Sequence, residues 1–294
     1  MTVYRQIGVV GSGRVASALA LALGPHSAAP PLLHARSPDR LRAAVASIGR
    51  ASAASGYEEL AGACDLIAIA VSDDAIEPVV ADIARAMPAG RTPFVFHVSG
   101  RSGAAILDPL RAKGARTAAI HPVMTFTGDP ASEVRRMAGA RFAVTASSEA
   151  ALAEAHALVR LLGGVAVEIA EDRRPLYHAA LGHAANHLVA LLSGSARVLE
   201  AAGAEDPYGL LAPLVRAALE NSLTRGFAAL SGPLLRGDDE TVRGHLSALG
   251  DYCPEVLPAY RAMALATLDK LERTGSRAPS SALRKDLEFH DPTP

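Results

Sequence analysis

The sequence predicts an α/β fold: an N-terminal Rossmann-type, mostly parallel sheet with helices on both faces, followed by an all-α C-terminal domain. Three observations predict it. Apolar runs of four to seven residues alternate with single helical segments through the first 170 residues, the pattern of a parallel sheet covered on both sides. A glycine-rich turn joins the first run to the first helix. From about Glu171 the strand-like runs stop and long helical patterns take over.

The elements follow in order. "YRQIGVV" reads as a strand and "RVASALALALG" as its helix. "PLLHA" leads to the helix "SPDRLRAAVASIG", where Ser37-Pro38-Asp39 is a helix-start signal. "DLIAIAV" precedes "DDAIEPVVADIARAM", "PFVFHVSG" precedes "GAAILDPLRAKG", and "RTAAIHPV" follows. "RFAVTA" precedes "SEAALAEAHALVRLLGG", and "VAVEIA" closes the sheet. Beyond it lie "PLYHAALGHAANHLVALLSGSARVLEAAG", "LLAPLVRAALENSLTRGFAAL", "ETVRGHLSALG" and "EVLPAYRAMALATLDKLERTG". In the first of these, Leu181, Leu188, Leu192 and Leu199 share a face at helical spacing. We therefore expect a Rossmann domain over 1–170 and a helical substrate and dimerisation domain over 171–275. A polar, proline-bearing tail over 276–294 is expected to be partly loose.

Composition narrows the function classes. Half of the 294 residues are apolar and the formal net charge is −1, so a large core is expected and nucleic acid or an acidic membrane is not. No basic run resembles a nucleic-acid arm. No apolar run reaches the ~18 residues of a membrane helix, and the N-terminus shows no charged-then-apolar leader, so a cytoplasmic protein is expected. The two cysteines, Cys64 and Cys253, form no metal or redox motif and read as small buried hydrophobes.

Gly11, Gly13 and Ala16 make G-x-G-x-x-A between a strand and a helix. The first glycine allows the tight turn, the second the approach of a pyrophosphate, and Ala16 close helix–strand packing. The helix N-terminus, with Ser12, Arg14 and Val15, faces the phosphates. An NAD site carries an acid about 20 residues on, at the end of the second strand. Here that stretch is "HARSPDR": Arg36 offers planar donors and Ser37 a hydroxyl to a 2′-phosphate, with Arg40 nearby. NADP(H) is therefore expected over NAD(H).

Other polar residues sit at strand ends, where the nicotinamide half would pass: Val71, Ser72 and Asp73, then Ser99-Gly100, then His121-Pro122. For Ser72–Asp74 a helix N-cap is the alternative, and for His121 a structural histidine. In the helical half, His178, Gly182 and Asn186 stand at four-residue steps. A glycine inside a helix costs about 1 kcal/mol against alanine, which suggests close approach at Gly182. His178 or His121 would act as proton donor and Asn186 would orient the substrate. His183 and His187 lack the glutamate of a zinc protease helix, so no metal is expected. Arg236, in "SGPLLRGDDE", could hold a substrate carboxylate or form a structural ion pair.

The ordered set "GSGRVASAL", "AVSDDAI", "HVSG", "HPVMTF", "YHAALGHAANHLVALL" and "SGPLLRGDDETVRGHL" resembles a bacterial family over nearly the whole chain. Members of that family join an NADP-type Rossmann domain to a helical domain of unknown function. More distantly, the layout is similar to the ketopantoate reductase, pyrroline-5-carboxylate reductase and 3-hydroxyacid dehydrogenase superfamily. That resemblance implies a helical second domain that dimerises and closes the site over the nicotinamide. Matched to the ketopantoate reductases, His178 takes the lysine position, Gly182 the first asparagine and Asn186 the second; only the last is kept. The lysine of the 3-hydroxyacid enzymes would fall on Gly182 and is also missing.

The expected function is an NADPH-dependent oxidoreductase, passing hydride to a C=O or C=N carbon of a small, carboxylate-bearing metabolite between the domains. The alternative is a non-catalytic NADP-binding sensor or partner module. A short-chain dehydrogenase is disfavoured, because none of the six tyrosines is followed four residues later by lysine.

Overall fold

The computed structural model describes residues 4–277 and 280–288. The chain divides into two compact units, Met1–Leu181 and Gly182–Pro294.

The first unit begins with β1 (Ile7–Val10), α1 (Arg14–Leu23), β2 (Leu32–His34), α2 (Pro38–Ile48), β3 (Ser52–Ala53) and α3 (Tyr57–Ala63). It continues with β4 (Leu66–Ile69), α4 (Ile76–Ala86), β5 (Phe94–His97), α5 (Asp108–Arg111) and β6 (Arg116–Pro122). Then come α6 (Pro130–Met137), β7 (Arg141–Ala146), α7 (Glu149–Leu161) and β8 (Val165–Glu168). They build one eight-stranded sheet in the order β3-β2-β1-β4-β5-β6-β7-β8. Every neighbouring pair is parallel except β6 and β7, which run antiparallel.

The expected strands each appear: β1, β4 and β5 are trimmed to their buried centres, β7 keeps its full span, and β8 at the far edge is largely exposed. In β4, Leu66 and Ala68 face one core while Ile67 and Ile69 face the other. In β5, Phe94 and Phe96 split from Val95 in the same way. Both faces are covered, so the period-2 alternation of a half-exposed strand is hidden in a continuous apolar run. Leu19, Leu23 and Leu158 from α1 and α7 cover one face; Val80, Ile83 and Leu110 from α4 and α5 cover the other. Cys64 and Cys253 are buried free thiols, and burial pushes the Cys64 thiol up to about 12.

Three elements carry no strong periodic signal in the sequence. β3 has two exposed residues at the sheet edge. α3 has seven residues, of which Leu60 and Ala61 are buried. α6 is short and polar, although Asp129 caps it and Pro130 opens it.

The second unit is helical. Helix α8 (Arg174–Ala201) runs through the division at Leu181; α9 (Pro207–Arg225), α10 (Pro233–Arg236), α11 (Asp239–Tyr252), α12 (Leu257–Arg273) and α13 (Ser281–Glu288) follow. A small core of Val242, Leu246, Ala264, Leu268, Leu283 and Leu287 joins α11, α12 and α13. The segment from Ser276, read as partly loose, thus carries an ordered helix: apolar residues four apart put Leu283 and Leu287 on one face, and both are fully buried. The rest of that expected tail, 278–279 and 289–294, lies outside the described residues, as do residues 1–3. Among the described residues no helix is long and apolar enough to cross a membrane.

Candidate functional site

The parallel register aligns the strand ends. Val10 pairs with His34 and with Ile69, Ile69 with His97, and His97 with Ala119. The glycine turn after β1, Arg36 after β2, Ser72–Asp73 after β4 and Ser99–Gly100 after β5 therefore leave one edge of the sheet. β6 overshoots that row to place His121 beyond it. This carboxyl edge is where ligands of open α/β sheets bind.

At β1 the backbone demands glycine. Gly11 has φ +128°, and a Cβ there would lie 2.2 Å from the Ala70 carbonyl oxygen; its N–H donates to the His34 carbonyl at 2.8 Å. Gly13 differs. A Cβ on it would meet nothing within 4 Å, and it sits at the N-cap of α1 with no side-chain cap. The first turn of α1 thus carries no side-chain cap, and the space at Gly13 is open. Ala16 is fully buried, which lets the helix approach the strand. Ser12 is half-buried and Val15 packs against the core. Arg14 is already engaged, donating to the Phe126 carbonyl at 3.1 Å. An uncapped helix N-terminus behind an obligatory glycine, with an open second glycine, fits a dinucleotide pyrophosphate.

At the end of β2, Arg36 is exposed and forms no ion pair or hydrogen bond with the described residues. Asp39, the nearest acid in sequence, is paired with Arg42 within α2. Hydrogen bonds that it accepts lower the Asp74 carboxyl first, and Arg36 lies close enough to help. Ser37 is the α2 N-cap, accepting from the Arg40 N–H at 3.4 Å; its hydroxyl proton stays free to donate. Arg36 is thus an uncommitted planar cation at the position where dinucleotide ribose is read.

After β4, half-buried Val71 packs on the core. Ser72 precedes a short 3-10 turn without a side-chain cap bond. Asp73 forms an ion pair with Arg101 at 3.3 Å. Asp73, Asp74, Arg101 and Pro175 line a cleft of about 430 Å³ beside the strand ends.

The centre of the site is a cluster that sequence reasoning only half identified. His97 is fully buried. Its Nε2 faces the Gly103 carbonyl at 2.8 Å, and its Nδ1 accepts the Ser99 N–H at 3.1 Å. One neutral tautomer satisfies both, and burial holds His97 down at about 4. Ser99 is committed to the loop: its Oγ accepts the Ser102 N–H and its carbonyl accepts from Arg174.

Arg174, at the start of α8, is fully buried, and all five donors of its guanidinium are used. Nε donates to Thr145 Oγ1 at 2.8 Å; Nη1 donates to the carbonyls of Ser99 and Gly100; Nη2 donates to those of Ala119 and Ala143, both at 3.0 Å. Among the described residues no carboxylate bonds to it, although Glu171 lies close enough to favour its charge.

Three and four residues on, on the same helix face, stand Tyr177 and His178. Tyr177 Oη lies 2.7 Å from His121 Nδ1, and the Arg174 guanidinium carbon is 5.8 Å from the Tyr177 ring. A Cβ on Gly100 would lie 2.7 Å from His178 Cδ2 and 3.2 Å from His121 Nε2. The structure thus brings His121 and His178 together over Gly100. Burial, then Arg174, then His178, push His121 down to about 4. Burial raises the Tyr177 hydroxyl, so at neutral pH the pair is uncharged.

Gly182, Asn186 and Arg236 belong to the second unit. Asn186 is exposed on the continuation of α8. A Cβ on Gly182 would meet nothing within 4 Å, so no packing contact explains that glycine. His183 and His187 follow with Nδ1 atoms 3.0 Å apart. Arg236 is exposed at the end of α10, ahead of the Asp238 cap of α11. Arg174 and Tyr177 are the residues missed from sequence. Their signal is an Arg-x-x-Tyr-His step that puts three polar groups on one face of an otherwise apolar helix.

The comparisons fit this architecture. Residues 2–122 match the model of the Rossmann-like domain, and residues 140–267 match that of a domain of unknown function, DUF2520. The chain is therefore a Rossmann-like protein with a helical C-terminal region. The two matches together fit the resemblance carried by the ordered motifs, a Rossmann-type domain joined to a helical domain of unknown function. Protein BF3122 from Bacteroides fragilis is similar with TM-score 0.73 and 18% identity, over 90% of this chain and 98% of that one. Protein TM1727 from Thermotoga maritima is similar with TM-score 0.68 and 21% identity, over 92% and 100%. A reductive aminase from Aspergillus terreus, in complex with NADPH and ethyl levulinate, gives 0.65 and 16%, over 98% and 100%. At these identities the likeness shows the fold. No curated protein matches the sequence.

Proposed function

We propose that this chain is an NADPH-dependent oxidoreductase acting on the C=N or C=O carbon of a small metabolite. One observation carries the reading: a single sheet edge presents the open, uncapped α1 N-terminus, the uncommitted Arg36, and the neutral His121–Tyr177 pair beside His178. Solved structures of the same fold support it, since they include the reductive aminase bound to NADPH and an imine reductase from Myxococcus stipitatus bound to NADP+.

Gly11, Ser12, Gly13, Arg14 and Val15 would hold the pyrophosphate, and Arg36 with Ser37 the 2′-phosphate. Val71, Ser72, Asp73 and Ser99 would border the nicotinamide half. When bound, the reduced dinucleotide supplies the hydride. His121 and His178 would then deliver the proton and Asn186 would orient the substrate, with Gly182 and Arg236 as further substrate contacts. The helical unit would also form a homodimer: α9 leaves Leu214 and Leu223 exposed at 67% and 80%, more apolar surface than a lone helix normally shows to water.

The test is NADPH oxidation, followed by absorbance, against a panel of cyclic imines and 2-oxo acids, ketopantoate among them. Turnover of at least one compound is expected, with NADH much poorer. NADPH binding without turnover of any compound would favour a non-catalytic binding module instead.

A further inference from the structure

The resemblance puts His178 at the lysine position of related enzymes, yet a short polar contact at the strand ends joins two other groups. Tyr177 Oη and His121 Nδ1 are 2.7 Å apart, and 56 residues of chain separate them. Their geometry is held from below. Arg174, one turn before Tyr177, ties α8 to the carbonyls of Ser99, Gly100, Ala119 and Ala143. That contact fixes the first turn of α8 over the ends of β5, β6 and β7. We propose that Tyr177 is the proton donor of the reaction, that His121 recharges it, and that Arg174 is the positioning residue that holds the two in register. The inference rests on the reductase reading above.

The groups facing His121 agree with such a relay. Tyr177, Arg174 and His178 approach it from α8, His97 from β5 and Asp73 from the loop after β4. Burial, then the Arg174 cation and the neighbouring imidazoles, disfavour an imidazolium, so His121 keeps one N–H and one lone pair. A neutral ring can pass a proton only by taking one at the other nitrogen. In the step, the supplied hydride forms the new C–H bond and the C=N or C=O π pair moves onto the heteroatom. That atom takes the Tyr177 Oη proton. His121 Nδ1–H returns a proton to the phenolate oxygen while Nε2 takes one from water, leaving the other neutral tautomer. One hydride and one proton are consumed per substrate reduced, and no net charge is left on the pair. A neutral tyrosine backed by a neutral histidine thus does the work of a lysine without placing a second cation beside Arg174.

The experiment uses full-length protein: wild type, Tyr177→Phe, His121→Asn and the double variant. NADPH affinity by fluorescence titration, turnover of the best imine in the panel and His121 ring nitrogen shifts by NMR are measured for each. General acid catalysis is typically worth about 100-fold or more, so each single variant should lose about that much in kcat while binding NADPH within about twofold. The double variant should be no slower than the worse single one, as expected for groups acting as a unit. In the substrate-free protein, Tyr177→Phe should change the His121 tautomer balance, which reads the hydrogen bond itself, while loss of kcat at unchanged NADPH affinity is the readout a merely structural tyrosine would not give. Tyr177→Phe that keeps kcat within about threefold, or leaves the His121 shifts unchanged, overturns the relay alone. Wild type that neither binds NADPH nor reduces any panel compound overturns the reductase reading, and the relay with it.

Discussion

Gly11 and Gly13 are glycines for different reasons, and the difference separates folding from binding. Gly11→Ala forces a side chain at φ +128° into the Ala70 carbonyl, so it should cost about 1–3 kcal/mol of stability, read by urea denaturation. Gly13→Ala meets nothing and should cost at most about 1 kcal/mol through its N-cap position, while weakening NADPH binding in a titration. The histidines carry a pH prediction. His97 and His121 are each held down at about 4, against an ordinary value near 6.5. Above pH ~6.5 both states of the chain are neutral at these sites. Below it the unfolded chain takes up protons that the folded one refuses, so stability should fall from there toward pH 4. Chemical denaturation at pH 7 and pH 5 checks this; equal midpoints would contradict it. The glycines, Arg36, His121 and His178 are legible in the sequence because each sits at a fixed offset from a strand or helix start. Tyr177 is not, because its role depends on a partner in β6 that only the fold supplies.

Among the elements, the first turn of α8 matters most to the site. Replacing Arg174 by Met would leave the carbonyls of Ser99, Gly100, Ala119 and Ala143 without their donor. At about 1–3 kcal/mol for each of the four buried carbonyls left unpaired, the first unit should lose at least about 4 kcal/mol, measured by denaturant midpoint. Deletion of a surface arginine such as Arg173, exposed at the neighbouring position, should cost within about 0.5 kcal/mol. A buried arginine with no acid partner cannot be read from sequence, since arginine usually marks an exposed position. Strand runs such as "LIAI" and "FVFH" can, because burial on both faces makes them uniformly apolar. β3 and α6 escape for the opposite reason: one is two residues at an edge, the other is short and polar.

At the scale of the whole molecule, the first unit has a core on each face of its sheet, while the core of the second comprises six buried residues of α11–α13. Among the described residues, no helix of that core covers the exposed leucines of α9. If the helical unit dimerises as proposed, Leu214→Glu with Leu223→Glu should convert a particle of about twice 30.3 kDa to one near 30.3 kDa by light scattering. A wild-type protein of single-chain mass would contradict it. The two-part organisation was legible because strand-like runs end where long helical patterns begin; the order in the tail was not, since two leucines among polar residues give only a faint helical face.

The clamp at the sheet edge is the claim on which the functional reading stands, and cofactor selectivity tests it most directly. Wild type and Arg36→Glu are titrated with NADPH and with NADH, following cofactor fluorescence. A bidentate arginine–phosphate contact is typically worth about 1.5–3 kcal/mol, so wild type should bind NADPH at least tenfold tighter than NADH. Arg36→Glu should erase that preference while keeping NADH binding. Equal binding of the two cofactors by wild type, or binding of neither, would contradict it.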